Sequence, residues 1–268
     1  MAWGFVKKMV LADRAAPFVD AVFSDPGAYG SHWVLMGVYA FALQIYCDFS
    51  GYTDIAIGCA RVMGFRFPRN FDSPYLAVSI REFWRRWHIS LSSWLRDYLY
   101  IPLGGNRGGK WMRDRNLMLT MLLGGLWHGA AWHFVAWGGF HGLLLAVDRR
   151  MEGAWSRLVR APLGRIAAVL VTFHLVCLGW VLFRADGLPM ALRICGRVLE
   201  GGAGRTFSRM LPALLAGLAI VMWVESRRPL ERLLRSSPLA ATVATWAGAV
   251  FAVVCGAATE VPFIYFQF

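Results

Sequence analysis

Thirty-one consecutive residues, Leu117 to Val147, contain no aspartate, glutamate, lysine or arginine. As one helix the run is about 46 Å long, against roughly 30 Å of bilayer hydrocarbon. The segments on both sides are basic, with Arg113 and Arg115 before it and Arg149, Arg150, Arg157, Arg160 and Arg165 after it. Lysine and arginine concentrate in cytoplasmic loops, so both ends belong on that side. A break near Trp127-His128-Gly129 reconciles the length with the topology: two pieces meet at membrane depth. An interrupted backbone is tolerated there only when buried in protein or lining a cavity. A single strongly tilted helix is the competing reading.

Composition agrees with a bilayer environment. The chain has 268 residues, 57% of them hydrophobic and 16% charged, where soluble domains carry about 25% charged residues. The expected fold class is therefore all-α, a polytopic multi-helix integral membrane protein. Thirteen tryptophans and eight tyrosines suit the two membrane interfaces. The net charge of +12 resides in short loops between apolar spans, so topology explains it and no nucleic-acid partner is expected. Five cysteines show no C-x-x-C pair and lie mostly in apolar context; they read as small core hydrophobes.

Residues 3–23 alternate apolar and charged positions, as in an amphipathic helix at the interface or packed on a neighbour, ending near Pro26-Gly27. Trp33 to Phe49 is apolar enough for a span. It runs into Asp48-Phe49-Ser50-Gly51-Tyr52-Thr53-Asp54 and a second apolar piece to Met63. The two aspartates are expected to face a protein interior or polar cavity. Residues 64–115 form a basic cytoplasmic or interfacial segment, with eleven arginines and lysines counted from Arg61. Its Phe83, Trp84, Trp87, Trp94 and Tyr98 suggest short helices lying at the membrane surface. Further spans are expected over Ile166 to Phe183, Leu211 to Val224 and Ala240 to Cys255. Arg184 to Leu199 reads as an amphipathic connector, Arg227 to Arg235 as a loop, and Phe263 to Phe268 as an aromatic anchor. The whole chain, residues 1–268, is expected to form a single membrane-embedded domain, with residues 116–148 as the helical segment that carries His128.

An ionisable side chain at membrane depth is costly, which makes His128 the leading functional candidate. A buried neutral imidazole accepts a proton at one nitrogen and donates at the other, as a general base acting on a hydroxyl nucleophile requires. His88, also preceded by tryptophan, is the second candidate. The alternative for each is a hydrogen-bonded histidine inside a helix bundle. His133, Trp137 and His141 recur at i, i+4, i+8 and share a helix face. Without a carboxylate between Asp114 and Asp148 they do not make a H-E-x-x-H site, and no metal is expected. They read as pore-lining or structural residues, as do His32 and His174.

Gly104 to Lys110 matches G-x-x-x-x-G-K, but Trp111 stands where Ser or Thr would hold Mg²⁺, and no strand precedes it. It is a basic turn. No G-x-S-x-G elbow exists. The arginines at 81, 85, 86 and 96 mark topology first, though guanidinium forks beside a catalytic site can hold a phosphate-bearing acyl donor.

Several stretches carry a family likeness: Lys7 to Arg14, Tyr46 to Ala56, Asn70 to Tyr75, Phe83-Trp84-Arg85-Arg86-Trp87-His88 through Ser92, Trp94 to Tyr98, Gly125-Leu126-Trp127-His128-Gly129, and the Phe263 to Phe268 tail. On these residues the chain resembles the membrane-bound O-acyltransferase superfamily, most closely its bacterial alginate O-acetyltransferase branch. The resemblance implies helices around a central tunnel, with His128 as the catalytic residue and His88 as a second polar group of that tunnel. Arg85, Arg86, Trp87, Arg96, Asp97 and Trp127 fall in the same motifs and are candidate substrate- or donor-binding residues. It also implies no bound cofactor. The co-substrate would be an acyl thioester such as acetyl-CoA, with membrane lipid around the protein and a polysaccharide acceptor or periplasmic acetyltransferase partner beyond it. The place would be the bacterial inner membrane, crossed several times. Family members are nearly twice this long, and the spans expected ahead of Lys7 are missing from the sequence; a truncated frame, a fragment and a misplaced start all remain open. His133 is a smaller departure, at a position where a non-ionisable residue is expected.

The expected function is transfer of acetyl groups from a cytoplasmic thioester toward exopolysaccharide hydroxyls. D-alanyl transfer to teichoic acid and a non-catalytic transporter or scaffold role are the alternatives.

Overall fold

The computed structural model describes residues 1–205, 216, 217, 221, 224 and 237–256. Among the described residues, the helices with defined bounds are α1 (Ala2–Phe5), α2 (Asp13–Ser24), α3 (Ser31–Val62), α4 (Ile80–Arg86), α5 (Ile89–Leu95), α6 (Gly109–His128), α7 (Trp132–Arg150), α8 (Glu152–Leu158), α9 (Pro162–Arg184), α10 (Gly187–Leu199) and α11 (Pro238–Cys255). Wider π turns link α1 to α2 over Val6–Ala12 and extend α5 over Arg96–Tyr100. Among the described residues there is no strand, only an isolated bridge between Tyr29 and Arg205. Helices α3, α9 and α11 are long and apolar enough to cross a membrane, as an integral membrane protein requires. The span expected over Leu211 to Val224 lies mostly outside the described residues, and the Arg227 to Arg235 loop and the Phe263 to Phe268 tail lie wholly outside them.

The chain divides into two compact units, Met1–Arg69 with Ile194–Phe268 and Asn70–Arg193. In the first, α1, the π turns of Val6–Ala12 and α2 lie along α3. Glycines allow the approach: a Cβ on Gly4 would stand 2.6 Å from the Gly51 carbonyl oxygen, and one on Gly37 would meet Val22. The aspartates of α3 do not split it into two pieces. They face the N-terminal helix, where Lys8 Nζ lies 2.8 Å from both Asp48 and Asp13 and Lys7 Nζ lies 2.9 Å from Asp54. Lys7, Lys8, Asp13 and Asp48 are all buried, and burial of such charges is tolerable only with a partner in place. The polar interruption of the apolar pattern is therefore an ion-pair seam within one continuous helix of 32 residues.

The second unit contains the break expected from the length argument. Helix α6 ends at His128 and α7 begins at Trp132. The apolar part of α6, from Leu117, extends only about 18 Å, and that of α7, to Val147, about 24 Å. Neither spans the hydrocarbon alone. The two arms pack backbone to backbone: a Cβ on Gly125 would stand 2.3 Å from the Phe134 carbonyl oxygen, and one on Gly138 would stand 2.2 Å from that of Met121. At the polar end Arg150 Nη2 holds Asp114 at 2.7 Å. Short helices do occupy the basic segment. Their aromatics divide between two roles: Phe83 and Trp87 are buried, while Trp94 and Tyr98 are exposed. Gly104 to Lys110 is a turn leading into α6, with left-handed backbone at Gly104, Gly105, Gly108 and Gly109.

Candidate active site

Two local interruptions of helix position the two histidines. The first is the α6–α7 junction. Gly129 follows His128 because a Cβ there would stand 2.5 Å from the Phe134 ring. Its extended backbone carries the chain through Ala130 and Ala131 into α7. The half-buried His128 imidazole sits edge to face with Trp127 (centroids 5.0 Å), Phe183 (5.2 Å) and Trp137 (5.3 Å). Three elements thus converge on one ring: its own helix, α7 and α9. Trp127 is 62% exposed beside it, so the ring is not sealed on that side.

The second interruption is at His88, between α4 and α5. Ser79 caps α4 by accepting from the Glu82 N–H (3.2 Å), while Glu82 accepts from the Val78 N–H (2.8 Å), a variant of the capping box. The N-terminus of α4 is tied to α7, since the Arg81 N–H donates to the buried Asp148 carboxylate at 3.1 Å. The helix stops at Trp87, and His88 takes a left-handed conformation, φ 45°. A non-glycine residue there is strained by about 1–3 kcal/mol and persists only where its surroundings hold it. Asn70 does the holding: its carbonyl accepts from the Ile89 N–H (2.9 Å) and its Oδ1 from both the N–H (3.0 Å) and the hydroxyl (2.9 Å) of Ser90. Burial, and then the charge of nearby His128, push the His88 imidazole down to about 3. It is therefore neutral at physiological pH. A continuous series of ring contacts, His128 to Trp137 to Trp180 to Trp87, joins the two histidine sites.

Around them lies an aromatic cage. Trp87 stacks on Phe83 (5.6 Å) and meets Trp180 (4.8 Å), whose indole N–H donates to the Tyr75 hydroxyl at 3.1 Å. Trp137 packs on Trp84 (5.7 Å), His141 (5.1 Å) and Phe183 (5.2 Å). No sequence signal assigns Trp84, Phe183 or Asn70 to the histidines. The helical spacing does put Trp137 and His141 on one face, but nothing in it brings that face to His128. His133, on the same helix, is a structural residue, with Nδ1 3.2 Å from the Leu182 carbonyl oxygen.

The other candidates from the sequence are distributed unevenly. Trp87 belongs to the cage. Arg86 is engaged by Glu82 at 2.5 Å and by the Asp72 carbonyl at 3.2 Å, which spends its fork on local structure. Arg96 and Asp97 pair with each other at 2.7 Å, both exposed. Arg85 is exposed on α4. The arrangement thus offers two neighbouring imidazoles at helix breaks, aromatic walls, and one outward-facing guanidinium. The chemistry that suits the histidines is proton transfer to or from a neutral substrate group.

Residues 2–183 match the membrane-bound O-acyltransferase family. The chain is 50% identical over 220 residues to the "Probable alginate O-acetylase AlgI" of Azotobacter vinelandii, covering 81% of this chain and 42% of that protein. It is 45% identical over 201 residues to the peptidoglycan O-acetyltransferase of Helicobacter pylori (75% and 37%). To the teichoic acid D-alanyltransferase of Bacillus subtilis it is 34% identical over 160 residues (56% and 40%). The chain thus spans about two fifths of the length of these relatives. The match runs through both helix breaks and both histidines, and the chain belongs to the membrane-bound O-acyltransferase family.

Proposed function

We propose that this chain provides the histidine centre of an O-acyltransferase that moves acetyl groups from a cytoplasmic thioester to polysaccharide hydroxyls. The observation that carries the reading is the position of His128: last residue of α6, half-buried at the helix break, and held on three sides by aromatic rings. In the reaction His128 takes the proton of the acceptor hydroxyl as its oxygen attacks the thioester carbonyl. The carbon–sulfur bond breaks, and His128 returns that proton to the leaving thiolate. His88 hydrogen-bonds the acyl carbonyl or the hydroxyl and orients it. General base action supplies a factor of about 10²–10⁴, with positioning in a desolvated site adding to it. Arg85 is exposed on α4, and a guanidinium there would suit a phosphate-bearing carrier such as CoA. The setting is the bacterial inner membrane, crossed several times.

The acetyl group is favoured because the better-matching relatives, at 50% and 45% identity, are named for O-acetyl transfer. D-alanyl transfer is the second reading, supported by the relative at 34% identity. Membranes containing the chain, supplied with radiolabelled acetyl-CoA and alginate oligosaccharide, should transfer label to the sugar. His128→Ala should lower that rate by about 10²–10⁴-fold without lowering the amount of folded protein. Transfer at the wild-type rate by His128→Ala would overturn the assignment. Transfer from a D-alanyl carrier but not from acetyl-CoA would select the second reading.

A further inference from the structure

His141 is completely buried, and neither of its ring nitrogens has a hydrogen-bond partner among the described residues. The same holds for the indole nitrogens of Trp84 and Trp137. These three rings form one triangle: Trp84 to Trp137 5.7 Å, Trp84 to His141 5.1 Å, Trp137 to His141 5.1 Å, all steeply inclined to each other. Phe83 stacks on the imidazole from a further side at 6.4 Å, and Phe140 lies 5.6 Å away. The cage can satisfy an indole where the geometry allows, as Trp180 does with Tyr75. At His141 it does not.

An unmade hydrogen bond at a buried polar atom is costly, and an apolar group of similar shape in its place is often neutral or stabilising. Packing alone therefore does not ask for an imidazole here. The opposite wall is nonetheless cut to fit one. A Cβ on Gly179 of α9 would stand 2.6 Å from His141 Nε2, so that glycine leaves room for this ring and no more. What an imidazole offers and an aliphatic group lacks is a directed N–H that can point into the face of a neighbouring indole. Trp137 is inclined 69° to His141 on one side and 89° to His128 on the other, with centroids 5.1 and 5.3 Å away.

We propose that His141 is a positioning residue for His128, acting through Trp137: the buried imidazole orients the indole, and the indole sets the plane of the catalytic ring. The inference rests on the reading of His128 as the base. Stability at position 141 is given up to fix an angle one ring away.

The test compares the wild-type chain in membranes with His141→Leu, His141→Gln and Gly179→Ala, the last displacing the imidazole without changing its chemistry. His141→Leu should melt no lower than wild type. Its kcat for acetyl-CoA to alginate oligosaccharide should fall roughly ten- to hundredfold, the scale of a small misplacement of a catalytic group, with KM unchanged. Gly179→Ala should reproduce the loss, and His141→Gln, which keeps an N–H donor, should recover part of it. Independently of turnover, ¹⁵N spectra of histidine-labelled chain should show the His128 ring signal, assigned by its loss in His128→Ala, moving in His141→Leu. A wild-type kcat in His141→Leu, a kcat that falls only in step with melting temperature, or an unmoved His128 signal would each overturn the proposal. If His128→Ala itself keeps full transfer, the acyltransferase reading fails instead; loss in His128→Ala beside full activity in His141→Leu defeats only the positioning role.

Discussion

Each unit holds a buried polar cluster, and the two clusters are built in opposite ways. In the first, the buried lysines have carboxylates at salt-bridge distance: Lys8 between Asp13 and Asp48, and Lys7 on Asp54. In the second, Trp84, Trp137 and His141 keep nitrogens in an aromatic interior without hydrogen bonds among the described residues. Paired charge holds α2 and α3 in register. Unpaired polarity lies next to His128, the proposed base. In the ion-pair seam buried polarity serves cohesion; beside His128 we assign it to orientation.

The contrast is most exposed to failure at Lys8. Removing one member of a buried ion pair strands the others, so Lys8→Met should cost about 3–5 kcal/mol in a thermal or denaturant melt. Replacing Lys8, Asp13 and Asp48 together by apolar residues should recover most of that loss. A Lys8→Met chain as stable as wild type would erase the distinction between the units. The second largest effect belongs to the helix hairpin: Gly138→Ala drives a methyl against the Met121 carbonyl and should cost about 1–3 kcal/mol. The cage itself is probed by acid. The His88 imidazole has its folded value near 3, against 6.5 when unfolded. The unfolded chain therefore takes up the proton first as pH falls, so this residue's contribution is full above pH 6.5 and declines toward pH 3. His88→Asn, which tolerates the left-handed backbone, should flatten the dependence of melting temperature on pH across that window. Smaller again is the cap on α4, where Ser79→Ala should cost about 1 kcal/mol. Arg96→Ala, which breaks only an exposed pair with Asp97, should leave the melting curve unmoved.

What the sequence disclosed follows from how local each constraint is. The break after His128 was legible because a 31-residue uncharged run exceeds the thickness it has to fit, a comparison of two lengths that needs no partner. The short helices of residues 80–100 and the turn at Gly104 to Lys110 were legible from amphipathic and glycine patterns of the same local kind. That Asp48 and Asp54 of α3 turn away from lipid was legible from their place in an apolar stretch, but their partners Lys7 and Lys8 lie some forty residues earlier, beyond any periodicity. The left-handed His88 was hidden for a related reason: Asn70, eighteen positions upstream, enforces it. Grouping the arginines by charge also concealed a division of labour, since Arg86 is consumed by Glu82 and Asp72 while Arg85 faces outward.

The glycine contacts between α6 and α7 carry one more implication. With Gly125 and Gly138 against bare carbonyls, the hairpin has a single permitted alignment. One residue inserted in either arm would turn everything beyond it by about 100° and drive a side chain into the seam. Additions or losses of residues should therefore be accepted only at Ala130 and Ala131, in the bend itself. His128, at the last position before that bend, stands where the arms permit no slippage.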